Sequence, residues 1–302
     1  MPIPRLLVGT AEGLHELAPE PRAHLEGHEI TGLARARSGW WAITGGRTLW
    51  RASRGAAWSP VAAVDGPAAT CLASTGTGVL VGTADAGLLR LDGRRLRAVE
   101  AFEHAEGRAR WYTPWGDPPD TRSVAEDAAG TIYVNVHVGG VLRSADGGRS
   151  WAPTLDVETD VHQVLPDSAT PGLVMVAAAT GFGLSRDGGR SWRFDTEGLH
   201  AHYMRALARA GDTVFVSTST GPGGRRSALY RRPLDGGQPF ERCREGLPEW
   251  FGTNIDTACL AASRGVVALG TQDGMVFVST VRGRRWEIVA KGLPPVRCVV
   301  VS

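Results

Sequence analysis

Two near-identical octapeptides limit what this chain can fold into more than any other feature. Ser144-Ala-Asp146-Gly147-Gly148-Arg-Ser-Trp151 and Ser185-Arg-Asp187-Gly188-Gly189-Arg-Ser-Trp192 lie 41 residues apart. The short acid of such a turn accepts hydrogen bonds from its own backbone, and the glycines supply the positive φ that a hairpin reversal needs. The Trp then opens the next strand and pins the turn against the sheet. Each octapeptide follows a strand–turn–strand pattern, VNVHVGGVLRS over 134–144 and AAATGFGLS over 177–185. Self-similarity at this period, carried on strands, predicts four-stranded repeat units.

The rest of the chain parses to the same plan. Strands are expected at 6–10 and 13–17, with 19–27 leading to the next unit of 29–34, 40–44, 48–52 and 58–64. A third unit takes 69–74, 79–83, 88–92 and 96–101; the insertion 102–119 follows, then 121–126, 132–138, 141–144 and 151–155. The fifth takes 161–165, 174–179, 183–185 and 192–195, and the sixth 204–208, 214–218, 229–232 and 240–244. The seventh takes 256–261, 266–271, 276–279 and 286–290. The first unit lacks a leading strand, while 296–302 (VRCVVVS) is a leading strand with nothing after it. Joining them makes one blade from both termini and removes the exposed sheet edges. The expectation is an all-β, seven-bladed β-propeller of four-stranded blades, one domain over 1–302.

The octapeptides resemble the Asp-box, or BNR repeat, of sialidase-like β-propellers. Ser279-Thr-Val-Arg-Gly283-Arg-Arg-Trp286 is a decayed copy without the Asp. The resemblance implies a propeller in which the first strand is innermost and the box turn joins strands three and four on one face. True sialidases have six blades, an arginine triad for the sialate carboxylate, a Tyr nucleophile assisted by Glu, and an Asp acid/base. They also carry an early Arg-Ile-Pro motif, where this chain has Pro2-Ile3-Pro4-Arg5. The chain is also similar to seven-bladed Asp-box proteins such as photosystem assembly factors and bacterial relatives, which act as binding scaffolds; fold alone does not decide function.

Composition removes several function classes. Forty glycines and 18 prolines, with no collagen-like period, suit short strands joined by tight turns. The net charge is +2 with acids and bases interspersed, so no stripe for nucleic acid is present. All but one of the 33 basic residues are Arg, Lys291 being the exception. Cys71, Cys243, Cys259 and Cys298 lack zinc spacing and read as reduced, buried thiols. The opening MPIPRLLVGT has neither the charged nor the apolar region of a leader, and no segment is long enough to cross a bilayer. A cytoplasmic protein without membrane contact is expected.

The face opposite the octapeptide turns collects the unusual residues. The insertion brings Trp111, Tyr112, Trp115 and Asp117; later connections bring His200, His202 and Tyr203, then Trp250, Phe251 and Asn254. First-strand entrances carry Thr31, Thr70, Arg122, His162, Arg205, Asp256 and Arg297, and His137 closes a second strand on that side. Arg122, Arg205 and Arg297 read either as partners of Asp120, Asp160 and Asp256 or as planar two-pronged donors for a carboxylate or phosphate. Trp111, Trp115 and Trp250, with Asn254 and His137, would then wall the ligand site. His137, His162 and His202 offer three imidazoles for a divalent metal as an alternative to acid/base or structural roles.

Three readings result. The first is a propeller binding a small anionic ligand or acidic sugar, with no cofactor. If catalytic, it is a hydrolase or lyase using His162 or His202 as acid/base, Asp256 as orienting carboxylate, and Tyr203 in the place of the sialidase nucleophile. The second is a scaffold that binds a protein partner through the aromatic face. The third is a sialidase-like glycosidase drawing its acids from Asp117, Asp120 and Asp256.

Overall fold

The turn chemistry read from the octapeptides recurs in three dimensions as the joint between the third and fourth strands of a blade. A computed structural model describes residues 5–53, 55–235 and 237–302; the Pro2-Ile3-Pro4 stretch lies outside them. The protein is a seven-bladed β-propeller of four-stranded antiparallel sheets. Blade one is assembled from both ends of the chain in the order Val296–Val301, Leu6–Thr10, Gly13–Ala18, Arg22–His24. The last of these strands falls in a stretch expected to be a connection. The chain partitions into two compact units, Met1–Thr31 with Asp195–Ser302, and Gly32–Phe194. Blades one, six and seven, with Ile30 and Thr31 of blade two and Asp195 of blade five, belong to the first, and the rest of blades two to five to the second.

Apolar side chains meet between neighbouring blades. Ile43, Leu49, Val79 and Val81 pack blade two on blade three, and Leu80, Leu88, Val134 and Leu142 pack blade three on blade four. In the three-blade unit one cluster runs from Leu6 and Val8 through Phe215 and Leu269 to Val299. One position at or near the end of the second strand decides how closely the next blade approaches. Gly9, Gly82 and Gly270 occupy it in blades one, three and seven; a Cβ there would lie 2.7 Å from Ile30, 2.5 Å from Thr121 and 2.4 Å from Val296, each on the next blade's first strand. Where that place is polar, it bonds instead. Asn135 donates from Nδ2 to Val161 O at 2.7 Å, and Ser217 donates to Ile255 O at 3.0 Å. Three of the cysteines are buried and all four are free thiols; Cys71 lies at a half-buried position.

Two strand expectations need correcting. The stretch 96–101 is a strand only over Arg95–Ala98, after which Glu100–Glu103 forms a helical turn that drives Phe102 into the core. The stretch 256–261 begins with the short helical turn Thr257–Cys259, so its strand is Leu260–Ser263, and Asp256 stands just before the turn with its carbonyl accepting the Cys259 N–H at 2.8 Å. A contiguous apolar run fits either state, and here the turn supplies the bend into the blade. No helix among the described residues is long and apolar enough to cross a membrane.

In the octapeptide at 144–151, Ser144 Oγ donates to Asp146 Oδ1 at 2.8 Å and accepts the Gly148 N–H at 2.8 Å. Asp146 also accepts the amides of Arg149 and Ser150 and, at 2.6 Å, the Ser150 hydroxyl. Asp187 repeats every one of these bonds. The decayed copy keeps the Gly283 N–H to Ser279 Oγ bond at 2.9 Å without its acid. The hydroxyls and amides on Asp146 and Asp187 hold both carboxyls well below the usual range. A depressed carboxyl stabilises the fold above its unfolded value, near pH 4, and that contribution is lost as pH falls through the lower folded value. The double variant Asp146→Asn, Asp187→Asn is expected to melt about 2–4 °C lower than wild type at pH 7. Its melting temperature should also fall less steeply below pH 4. Parallel melts from pH 7 to pH 2 check both; equal slopes would remove the turns from the acid sensitivity.

Candidate functional site

In the four-blade unit, three side chains marked out by the sequence meet around a carboxylate that the sequence suggested only as an arginine partner. Asp160 immediately precedes the first strand of blade five, Val161–Pro166, and its carbonyl accepts the Ala179 N–H at 2.9 Å. Asp120 holds the equivalent place before Thr121–Glu126 of blade four, accepting the His137 N–H at 2.9 Å. The repeat geometry therefore carries Arg122 and His162 as second residues of successive first strands. Arg122 Nη1 lies 3.6 Å and His137 Nε2 3.4 Å from Asp160 Oδ1; His162 Nε2 lies 3.4 Å from Oδ2.

At 3.6 Å the Arg122 guanidinium acts on Asp160 mainly through its charge, while the two imidazoles add charge only when protonated. Burial pushes the Asp160 carboxyl up, but His162, then Arg122 and His137, outweigh it and hold the group below its usual range. Asp120 goes the other way: burial raises it, Arg122 opposes, and Asp85 adds to the rise. Two carboxyls under the influence of one guanidinium are thus driven apart, a pattern that separates a proton-holding from a proton-free group. His162 is fully buried and His137 is 2% exposed, so both orient and bias Asp160 and neither offers a surface to a ligand.

The insertion supplies the wall. Phe102 is fully buried and packs on Trp111 (5.6 Å) and, edge to face, on Trp151 (5.2 Å). Trp111 also carries the Arg108 guanidinium 5.0 Å from its ring, so it anchors the insertion. The Tyr112 N–H donates to Val138 O at 3.2 Å, and its hydroxyl donates to Glu158 Oε2 at 2.9 Å. A turn closed by Gly116 N–H on Thr113 O then holds out Trp115, 60% exposed, with its ring 4.9 Å from that of His137.

The remaining sequence candidates lie in the three-blade unit. Arg205 Nη1 is 3.2 Å from Asp256 Oδ1, whose Oδ2 accepts Gln272 Nε2 at 2.9 Å. Arg297 is 2.9 Å from Glu29. Each of the three arginines thus has an acid beside it. Tyr203 opens the first strand of blade six, and His202 is exposed just before it. Trp250 is covered by His200 (4.9 Å between rings) and by the guanidiniums of Arg242 (3.9 Å) and Arg226 (4.7 Å). Asn254 is buried and donates to Pro222 O at 3.1 Å, tying down its own loop. His202 and the pair His137 and His162 belong to different units, and no group of three or more His, Cys, Asp or Glu among the described residues is arranged for a metal ion.

No protein-family model matches the chain, and no curated protein matches it. Solved structures do resemble it in fold. A xyloglucanase from Xanthomonas campestris aligns with a TM-score of 0.60 at 16% identity over 86% of this chain; the aligned part is 45% of that enzyme. YCF48 from Cyanidioschyzon merolae aligns with a TM-score of 0.61 at 16% identity, covering 92% of this chain and 93% of its own. YCF48 bound to a D1 peptide gives 0.59 at 14% identity, over 87% of this chain and 85% of its own.

Proposed function

We propose that the protein binds a small acidic saccharide on the surface formed by Trp115 and the Asp120–Arg122–Asp160 cluster. One observation carries the reading: a Trp held 60% exposed on an anchored turn, its ring 4.9 Å from the buried His137 imidazole, which shares Asp160 with the Arg122 guanidinium. A sugar ring offers C–H bonds to an aromatic face and hydroxyls to polar groups at its edge. Arg122 is the two-pronged donor for a ligand carboxylate, and Asp120, raised by burial, has the weaker hold on its negative charge. If bond cleavage follows, Asp120 and Asp160 are the acid and base, with His162 and His137 as positioning residues. Arg205, Arg297, Asp256, Tyr203 and His202 belong to the other unit, and the proposed surface is drawn without them. The xyloglucanase among the neighbours in fold fits a saccharide ligand.

The second reading, a protein-binding scaffold, rests on the exposure of Tyr112 beside Trp115, at 42% and 60%. YCF48, a neighbour in fold, was solved with a peptide bound. Calorimetric titration with oligosaccharides of glucuronate, galacturonate and their neutral counterparts separates the two. Trp115→Ala is expected to weaken every saccharide about tenfold, the loss of roughly 1.4 kcal/mol of stacking. Arg122→Met should abolish the preference for acidic over neutral chains. Should no saccharide bind wild type better than both variants, the scaffold reading replaces this one.

A further inference from the structure

Arg122, Arg205 and Arg297 each have an acid within reach, but another set of arginines does not. Arg35, near the end of the first strand of blade two (Ile30–Ala36), and Arg37 just beyond it share one side of the chain by their two-residue spacing. Arg51 lies on the third strand of the same blade, Thr48–Ser53. With Trp41 and Thr75 they line a groove of about 670 Å3 between blades two and three. The Arg51 guanidinium sits 5.4 Å from the Trp41 ring and donates to Ser38 Oγ at 3.3 Å, which fixes its fork.

The charge in this groove is only partly compensated: three guanidiniums face one carboxylate. Among the described residues, none of Arg35, Arg37 and Arg51 is ion-paired to a carboxylate. The one acid in the lining, Glu126, already accepts the Gly76 N–H at 2.7 Å. A groove of similar volume in the three-blade unit, about 630 Å3, is built differently. There Arg231 pairs with Glu241 at 3.0 Å and Arg282 with Asp212 at 3.3 Å, leaving Arg284 with no ion pair among the described residues.

We infer that the groove of Arg35, Arg37 and Arg51 binds a phosphate monoester. Three forked donors match a dianion with three peripheral oxygens better than a carboxylate with two. The volume falls in the range of small-molecule pockets and leaves room for an organic group the size of a sugar or nucleoside beside the phosphate. This site is independent of the saccharide surface, and its Glu126 and Thr75 take no part there.

The test titrates the full chain at low salt with inorganic phosphate, glucose 6-phosphate and adenosine monophosphate, and with malonate as a carboxylate dianion. Saturable binding of the phosphates is expected, with both esters tighter than phosphate and malonate at least tenfold weaker than either ester. Arg37→Met and Arg51→Met should each weaken the esters at least tenfold, while Arg284→Met leaves them unchanged. Arg37 and Arg51 are exposed, so melts of these variants without ligand should coincide with wild type and separate lost binding from lost fold. No saturable phosphate binding, malonate binding as tight as the esters, or an equal loss in Arg284→Met overturns the site. Phosphate binding as tightly as the esters overturns the monoester assignment.

Discussion

Removal of residues 296–302 is expected to leave no native monomer. Val296–Val301 is the first strand of blade one and pairs along its length with Leu6–Thr10, Val301 opposite Leu6 and Val296 opposite Thr10. Val296, Cys298, Val299 and Val301 are all at least nine-tenths buried, against Leu6 and Val8 at zero exposure. Burial of an apolar side chain contributes about 1.5–3 kcal/mol. Four of them lost together cost roughly 6–12 kcal/mol, the size of a whole domain's net stability of about 5–15 kcal/mol. The deletion also bares the ladder edge of Leu6–Thr10, which invites pairing with other chains. Size-exclusion chromatography with a thermal melt decides the matter. A truncated monomer with a sharp, native-like transition would show that the terminal pairing is dispensable.

Gly82→Val should cost about 3 kcal/mol, at the upper end for overpacking, because neither side of the site can yield cheaply. A Cβ at Gly82 would sit 2.5 Å from Cys71 Sγ on its own blade and 2.5 Å from Thr121 Cγ2 on blade four. Thr121 cannot swing away, since its hydroxyl donates to Gly87 O at 2.9 Å and its own carbonyl accepts from Thr70. The expected drop in melting temperature is about 6 °C or more. Gly252→Val, where nothing lies within 4 Å of the new Cβ, should stay within about 0.5 kcal/mol of wild type. Adding Cys71→Ala to Gly82→Val should recover part of the loss by removing one of the two clashes. Urea denaturation of the four proteins measures all of this, and equal midpoints for the two valine variants would mean the blades are not in tight contact there.

Those two sites also show where sequence reading succeeds. The recurring strand spacing, the octapeptide turns and the unpartnered terminal strands predict seven blades and the joining of the termini, which the sheet order has. Boundaries failed where apolar runs were contiguous, as at Ala258-Cys259-Leu260, because such a run packs equally well as a turn of helix or as strand. The fourth strand of blade one, Arg22–His24, escaped notice because three mostly polar residues carry no alternation to read.

The candidate site was legible in its parts and not in its assembly. Trp115 and Arg122 were marked by residue type alone. That Trp111 is an anchor and Trp115 an open platform depends on Phe102 filling the space beneath the insertion, which no local pattern encodes. The pairings Arg122–Asp160, Arg205–Asp256 and Arg297–Glu29 join residues on different blades, and so do the walls of the Arg35–Arg37–Arg51 groove. The sequence by itself determined the repeat, the turns and the list of chemical groups, because hydrogen bonds within a turn and alternation along a strand are local. Tertiary structure alone decided which guanidiniums meet an acid and which face an open groove, because charge is compensated across blades by neighbours far apart in the chain.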